Sequence, residues 1–266
     1  MGKKHTIVVT GATGFVGRWI VTTLLKSGER TVVGNFRPSE SDSELLSALE
    51  SHVSRATLSQ LRLIPADLHA NEDWSAVMAD ATALIHTAAA VPSGEPKDRK
   101  GFISREVAGV ERVLRAANAA GIARIVMTSS MAAVIENAQP GDGPIRLGPN
   151  DWTDLNARKL PAYTVAKTRA ERLAWDLAEE LDLVLTTICP GMVFGPLLGG
   201  EVGASMGFLD AIVRGSIPKV PPTGFEIVDV RDVAEAHVAA LDRDDFAGQR
   251  ILLAAGYRSM KQIAEV

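Results

Sequence analysis

The chain has 266 residues, of which 46% are hydrophobic and 23% charged, the composition of an ordinary globular protein. A formal net charge of −4, without clustered Lys and Arg, argues against a nucleic acid partner. The single cysteine, Cys189, excludes a disulfide framework and fits a reducing, cytoplasmic setting, and the apolar runs are too short to span a membrane.

Short, continuously apolar runs alternate with segments of helical periodicity along most of the chain. The runs lie at Thr6–Thr10, Thr31–Phe36, Leu61–Ala66, Ala83–Thr87, Arg124–Thr128 and Leu183–Cys189. Helices are predicted at residues 14–27, 71–79, 102–119 and 162–180. This alternation predicts an α/β fold with a doubly wound parallel sheet of the Rossmann type, whose strands are buried on both faces.

A glycine-rich turn joins the first predicted strand to the first predicted helix. It reads Gly11-Ala12-Thr13-Gly14-Phe15-Val16-Gly17. The first glycine permits a tight turn, the second lets the backbone approach a pyrophosphate, and the third lets the helix pack closely on the strand. The helix N-terminus adds N–H donors and the positive end of its dipole. The turn is therefore predicted to bind the phosphates of a dinucleotide.

The pattern changes after Pro190, where glycine and proline become frequent. We expect residues 1–190 to form the dinucleotide-binding domain, with residues 225–255 returning to it. Residues 191–224 and 256–266 are expected to form a small, discontinuous substrate-binding lobe. The chain stops at Val266 within a helical pattern that has no cap residue. Such an ending is expected of a longer natural chain that has been cut there.

Tyr163 and Lys167 lie four residues apart in the predicted helix 162–180, so both project from one face. A free tyrosine has a pKa of about 10, too high for ready proton exchange at neutral pH, and an ammonium group beside it favours the phenolate. The pair therefore indicates acid–base chemistry. Ser129 and Ser130 follow the strand run that ends at Thr128, at the sheet edge where such folds bind ligands.

With this glycine turn, these serines and this Tyr-x-x-x-Lys pair, the chain resembles the extended short-chain dehydrogenase/reductase family, within the NAD-dependent epimerase/dehydratase superfamily. Residues 150–155 and 171–176 resemble its dihydroflavonol-reductase and aldehyde-reductase branch. The resemblance implies that Tyr163 is the proton donor and that Ser130 binds the carbonyl oxygen. Lys167 would hold the nicotinamide ribose and tune the tyrosine, and Ser129 could assist.

The same resemblance implies further cofactor contacts at the ends of the strands. Asp67, with Leu68, would lie at the adenine amino group, although a helix N-cap explains Asp67 nearly as well. The other implied residues are Thr87, Ala88, Ala89, Thr128, Pro190, Gly191 and Val193. The family often carries an active-site Asn one turn before a Gly-Thr pair. Residues 105–110 read Arg-Glu-Val-Ala-Gly-Val, without Asn, so the four-residue proton relay is in doubt.

The choice of cofactor turns on the end of the second strand. NAD-selective sites place a carboxylate there, about 20 residues after the glycine turn, to bind the ribose 2′-hydroxyl. Here Arg37 occupies that place, and no carboxylate follows until Glu40. Because an arginine suits a 2′-phosphate, we predict that NADP(H) is preferred, with NAD(H) still usable.

Three functions remain in view. The favoured one is reduction of an aldehyde or ketone by NADPH, with a small and apolar substrate, because Arg214 and Lys219 are the only cations between Met192 and Val230. The alternatives are nucleotide-sugar epimerisation or dehydration with bound NAD, and a non-catalytic NAD(P)-sensing protein. The five histidines lack metal-ligand spacing, so no metal is expected. A monomer and a homodimer are both compatible with the sequence.

Overall fold

The computed structural model describes residues 5–70, 73–135, 146–200, 202–217 and 223–265. Within them, seven parallel strands form the central sheet in the order β3-β2-β1-β4-β5-β6-β9. These strands are β1 (His5–Thr10), β2 (Arg30–Phe36), β3 (Leu61–Pro65), β4 (Ala83–His86), β5 (Arg124–Thr128), β6 (Val184–Pro190) and β9 (Arg250–Leu253). The predicted Rossmann-type α/β fold is confirmed.

Helices cover both faces of this sheet. They are α1 (Phe15–Lys26), α2 (Asp42–Glu50), α3 (Arg55–Leu58), α4 (Ser75–Met78), α5 (Arg99–Ala119), α6 (Ala162–Glu180), α7 (Ala204–Val213), α8 (Val230–Asp242) and α9 (Met260–Ala264). The predicted helix 162–180 has the observed bounds, whereas α4 is shorter than the predicted 71–79, of which residues 71 and 72 lie outside the described part. In the described ranges, no helix has both the length and the apolar character of a membrane span.

Two apolar layers hold the helices on the sheet. Ile20 and Leu24 of α1 pack with Val233 of α8 on one face, and Leu114 of α5 packs with Leu177 of α6 on the other. All five side chains are at most 1% exposed. Burial of one such side chain stabilises the fold by about 1.5–3 kcal/mol. The two layers therefore hold the helices on the sheet, and with it they fix the sheet edge at which the candidate site residues lie.

A second, three-stranded sheet follows β6. Its order is β10-β8-β7, with β7 at Met192–Phe194, β8 at Gly224–Asp229 and β10 at Gly256–Ser259. Within the predicted return of residues 225–255, β9 pairs with β6 of the central sheet, whereas β8 pairs with β7 and β10. By strand pairing, the small lobe therefore extends through Asp229. The division into domains as a whole stays a prediction.

A buried ion pair ties α6 to the last central strand. Arg250 Nε and Nη2 donate to the two carboxylate oxygens of Glu171 at 2.8 and 3.0 Å, and both side chains are at most 6% exposed. Arg250 also donates to the carbonyls of Ala133 and Pro149, and its guanidinium lies 3.7 Å from the centre of the Trp152 ring. One arginine thus fixes the turn after β5 and the segment that leads into α6.

We expect Arg250→Met to lower the free energy of unfolding by about 3–5 kcal/mol, because it leaves the Glu171 carboxylate buried without its counter-ion. Urea denaturation followed by circular dichroism measures the change. The control is Arg214→Met, which removes an exposed arginine paired with Asp210 and should leave stability nearly unchanged. Equal stability of the two variants would show that the Glu171–Arg250 pair is not structural.

Candidate active site

The carboxyl ends of β1 and β4 meet at the point where the strand order of the central sheet reverses. Thr10 Oγ1 accepts hydrogen bonds from the backbone N–H groups of Thr87 and Ala88 at 3.1 and 3.2 Å. Since both acceptor positions are then used, its O–H donates to His86 Nδ1 at 2.8 Å. Thr10 thereby locks the two strand ends together and forms one side of the crevice in which this fold binds ligands.

The glycine turn has the close contacts that the sequence predicts. Gly11 adopts φ +68°, and a Cβ there would lie 2.9 Å from the Cα of Ala88. A Cβ at Gly17 would lie 2.0 Å from the Gly11 carbonyl oxygen, so helix α1 can sit this close only without a side chain. Gly14 is the N-cap of α1, and no side chain caps the helix. The N-terminal N–H groups of α1 therefore suit the phosphates of a dinucleotide.

Asn35 and Arg18 hold the turn in place. Asn35 of β2 accepts from Gly11 N at 2.8 Å and donates to Ala66 O at 2.7 Å, which joins the ends of β1, β2 and β3. Arg18, which is 4% exposed, donates to Thr13 O and to Leu198 O in the loop after β7. Neither residue was predicted from the sequence, because a polar residue in a strand or helix carries no local sign of such partners.

The Glu40 carboxylate follows β2 in the sequence and lies against the glycine turn. The sequence alone does not predict this contact. Glu40 folds back, so that its carboxylate accepts from Thr13 Oγ1 at 2.6 Å and from Arg37 Nε at 2.8 Å. Although partial burial opposes its charge, the hydrogen bonds from Thr13 and Arg37 hold the pKa of Glu40 below its ordinary value. The predicted phosphate ligand Arg37 is thus paired with the Glu40 carboxylate, and the Arg37 side chain is 63% exposed.

Tyr163 and Lys167 lie in the first two turns of α6 and face the ends of β4 and β5. Both line one narrow cavity together with Ala88, Ala89 and Thr128. Lys167, which is 8% exposed, donates from Nζ to the Thr128 carbonyl oxygen at 3.1 Å. The structure thus brings the tyrosine–lysine pair to the same edge as the glycine turn.

The two serines after β5 point to different environments. Ser129 is 2% exposed, and its hydroxyl donates to the buried Glu171 carboxylate at 2.7 Å. The Ser129 proton is therefore committed inside the core, and an assisting role for Ser129 stays a prediction. Ser130 is half-buried and its Oγ accepts from Ala132 N at 3.1 Å, which leaves its O–H to donate to a substrate. The choice of Ser130 stays a prediction with this geometric support.

The remaining predicted cofactor residues occupy the same edge in different ways. Asp67 accepts from His69 N at 2.8 Å, and the Leu68 side chain packs in the core, so Leu68 can meet a ligand only through its backbone. Pro190 ends β6, and the Gly191 N–H is bound to Leu253 O at 3.0 Å. The Val193 side chain also lies in the core. The cofactor roles of these residues remain predictions.

The fold and this edge define a dinucleotide-binding protein of the Rossmann type with a tyrosine–lysine pair. Residues 7–254 match the model of the NAD dependent epimerase/dehydratase family, and the chain belongs to that family. It is 33% identical to cinnamoyl-CoA reductase 1 of Arabidopsis thaliana over 264 residues, which cover 98% of this chain and 73% of the relative. The predicted family and its reductase branch are confirmed.

Two further relatives extend the likeness to the fold and to bound cofactor. The chain is 29% identical to a putative NADPH-dependent methylglyoxal reductase of Candida albicans, across 100% of this chain and 83% of the relative. The structure of yeast methylglyoxal/isovaleraldehyde reductase Gre2, which was solved with NADPH, superposes with a TM-score of 0.84 at 25% identity. That superposition covers 96% of this chain and 80% of the yeast protein.

The low pKa values of two buried histidines make the stability of the protein depend on pH. Burial lowers the pKa of His237 to about 4, while burial and the charge of Lys167 lower that of His86 to about 3. Below the ordinary value of 6.5, the unfolded chain therefore binds protons that the folded protein excludes. Each histidine should reduce stability by up to about 1.4 kcal/mol per pH unit as the pH falls from 6.5 to 5.

Urea denaturation across this pH range measures the slope. His237→Gln should flatten it, because glutamine does not titrate, and its amide can still accept from the Thr128 hydroxyl, which now donates to His237 Nε2 at 2.7 Å. The exposed His5→Gln is the matched control. An unchanged slope in His237→Gln would contradict the neutral, buried state of His237.

Proposed function

We propose that the protein reduces a small aldehyde or ketone to the alcohol with NADPH, with Tyr163 as the proton donor. The observation that carries the proposal is that Tyr163 and Lys167 line one cavity with Ala88 and Ala89. This cavity lies at the same edge of the sheet as the glycine turn. The names of several relatives agree with this activity: they include cinnamoyl-CoA, anthocyanidin and methylglyoxal reductases, one of them named NADPH-dependent, and two of the similar structures were solved with NADPH.

The residues of the edge fit a dinucleotide. The uncapped N-terminus of α1 and the side-chain-free turn around Gly11 and Gly17 suit its pyrophosphate, and Lys167 suits the ribose next to the nicotinamide. When bound, the cofactor supplies a hydride to the carbonyl carbon. Tyr163 gives its hydroxyl proton to the carbonyl oxygen, Ser130 donates a hydrogen bond to that oxygen, and the Lys167 ammonium favours the tyrosinate that remains.

Arg37 and Thr13 are proposed to receive the 2′-phosphate of NADP(H). The Glu40 carboxylate bridges these two side chains, at 2.6 Å from Thr13 Oγ1 and 2.8 Å from Arg37 Nε. A phosphate at the same place would accept the same hydrogen bonds and carry more negative charge. Its binding to Arg37 requires that the Arg37–Glu40 ion pair breaks first. We therefore propose that Glu40 limits the affinity for NADPH and leaves NADH usable.

The substrate is proposed to be apolar. Helix α7 packs on β7, which begins two residues after β6 ends, and its Phe208 ring meets Phe225 edge-on at 5.6 Å. None of the α7 residues is fully buried, so this side of the small lobe presents apolar surface. The one cation that α7 carries at its end, Arg214, is bound to Asp210 rather than left for a diphosphate. A nucleotide sugar is therefore the less suitable substrate.

Tyr163→Phe should lower kcat for NADPH-dependent reduction by about 10²–10⁴-fold, because it removes the proton donor. NADPH absorbance with methylglyoxal, aromatic aldehydes and flavonoid ketones measures turnover, and fluorescence titration should show that NADPH still binds. Tyr257→Phe is the matched control, because Tyr257 lies on the small lobe and is 54% exposed. Turnover of a nucleotide sugar, together with no reduction of any carbonyl, would reverse the proposal.

Arg37→Ala should raise the Kd for NADPH about 10-fold and leave the Kd for NADH unchanged, because it removes one charged partner of the phosphate. Glu40→Gln should do the opposite and lower the Kd for NADPH several-fold, since Arg37 loses its competing carboxylate. Arg55→Ala, at the start of the exposed α3, is the control. If Glu40→Gln weakens NADH binding and leaves NADPH binding unchanged, Glu40 serves the ribose hydroxyl of NAD instead.

A further inference from the structure

The narrow cavity that Tyr163 and Lys167 line is also lined by His86 and Glu106, two side chains that the mechanism above does not use. Its volume is about 10 Å³, which is about the least space that holds one water molecule. Polar side chains on its walls suit a water, because buried waters make two to four hydrogen bonds.

His86 offers a hydrogen bond that nothing in the described part of the chain accepts. Its Nδ1 accepts from Thr10 Oγ1, so the ring proton sits on Nε2. That Nε2 is buried without a hydrogen-bond partner, and the whole residue is 2% exposed. His86 lines the small space, and burial together with the Lys167 charge lowers its pKa to about 3, so it stays a neutral donor. A buried donor without a partner destabilises the fold, and a bound water would satisfy it.

Glu106 connects the same space to the surface. Its Oε2 accepts from Ala90 N at 3.0 Å and its Oε1 lies 3.2 Å from His69 Nε2. The Glu106 side chain is 9% exposed and that of His69 is 28% exposed, so the pair runs from the interior to solvent.

We propose that Glu106 and His69 form a proton relay from solvent to Lys167 and Tyr163, through one water held in this space by His86. The relay rests on the proposed reductase function. Glu106 and His69 do not touch the substrate, so they act as relay and positioning residues. Every link is a side chain of this protein or one water.

The protons balance over one turnover. Tyr163 loses its hydroxyl proton to the carbonyl oxygen and regains one from the Lys167 ammonium. The water passes a proton to the Lys167 amine and takes one that leaves His69 Nε2 through the Glu106 carboxylate. His69 then takes a proton from solvent, so all groups return to their first state. No electrons move in the relay, and the hydride accounts for the reduction.

The charges around the relay favour a protonated His69. The hydrogen bond to Glu106 raises the pKa of His69 against the opposing effect of partial burial, and the Asp67 carboxylate acts in the same direction. Arg112 of α5 is directed to the Leu68 carbonyl, and Arg105 lies 3.6 Å from Asp98. On the inner side, the charged group that faces the space beside Glu106 is Lys167. Reduction should therefore slow as the pH rises through the raised pKa of His69.

The first experiment needs no turnover. The histidine ring signals of the full chain, without cofactor, are titrated by NMR in the wild type, in the isosteric Glu106→Gln and in Glu111→Gln. Glu111 lies on the same helix but is exposed and pairs with Arg115, so it is the matched control. The midpoint of His69 should lie above the ordinary 6.5 and fall only in Glu106→Gln. Equal midpoints in all three proteins would overturn the Glu106–His69 link and with it the relay.

The second experiment measures steady-state oxidation of NADPH against pH, because the relay restores the Tyr163 proton between turnovers. Glu106→Gln and His69→Gln should each lose about 10-fold of the rate at pH 8, with KM changed less than about 2-fold, and the double variant should lose no more than either. A structural role would instead change KM or stability and leave the shape of the pH profile intact. If the wild type binds NADPH and reduces no carbonyl, the proposed function fails. If it reduces carbonyls and Glu106→Gln keeps the wild-type pH profile, the relay alone fails.

Discussion

The buried ion pair between Glu171 and Arg250 is the interaction on which the placement of Tyr163 and Ser130 depends. Two charges with almost no exposure are costly to bury, and such a pair holds only when further hydrogen bonds satisfy it. Here Glu171 accepts from Ser129 and Thr187, while Arg250 binds the Ala133 carbonyl. These contacts join α6, β6, β9 and the turn after β5. The helix that carries Tyr163 and the turn that carries Ser130 are consequently held by one network.

A second set of polar contacts holds the ends of β1 to β4, next to the glycine turn. Thr10 joins the ends of β1 and β4, and Asn35 joins the ends of β1, β2 and β3. Both residues are at most 3% exposed, so their hydrogen bonds form in a low-dielectric setting where an unmet partner would be costly. Parallel strands bring their carboxyl ends to one edge in any case, but these contacts set how closely the glycine turn and the loop after β4 approach.

The sequence predicts best those features whose signal is local. The apolar strand runs, the spacing from Gly11 to Gly17 and the four-residue step from Tyr163 to Lys167 each follow from the period of one element, and the structure places them as expected. The preference for Ser130 over Ser129 also agrees with the geometry, although its reason is seen only once Glu171 is located. Helix α2 was missed because only Leu45 and Leu49 of its nine residues are buried.

Features that depend on distant partners could not be predicted in this way. Arg250 and Glu171 lie 79 residues apart, and Glu106 reaches His69 from another element. A charged residue in a helix pattern is ordinarily on the solvated face, so nothing local marks Glu106 or Glu171 as buried. Glu40 was visible in the sequence, but a chain that folds back onto Thr13 has no periodic signature. The pairing of β8 with β7 and β10 likewise has no local signature in the sequence.

The central claim is direct hydride transfer from the nicotinamide to a carbonyl carbon at the edge formed by Tyr163, Lys167 and the glycine turn. It is tested most directly by supplying NADPH deuterated at the reactive ring carbon, with methylglyoxal in ordinary water, and locating the label in the product by NMR and mass spectrometry. Direct transfer predicts an alcohol with one deuterium on the new carbinol carbon and an equal amount of NADP⁺. An alcohol without deuterium on that carbon, or no alcohol while NADPH remains bound, would contradict it.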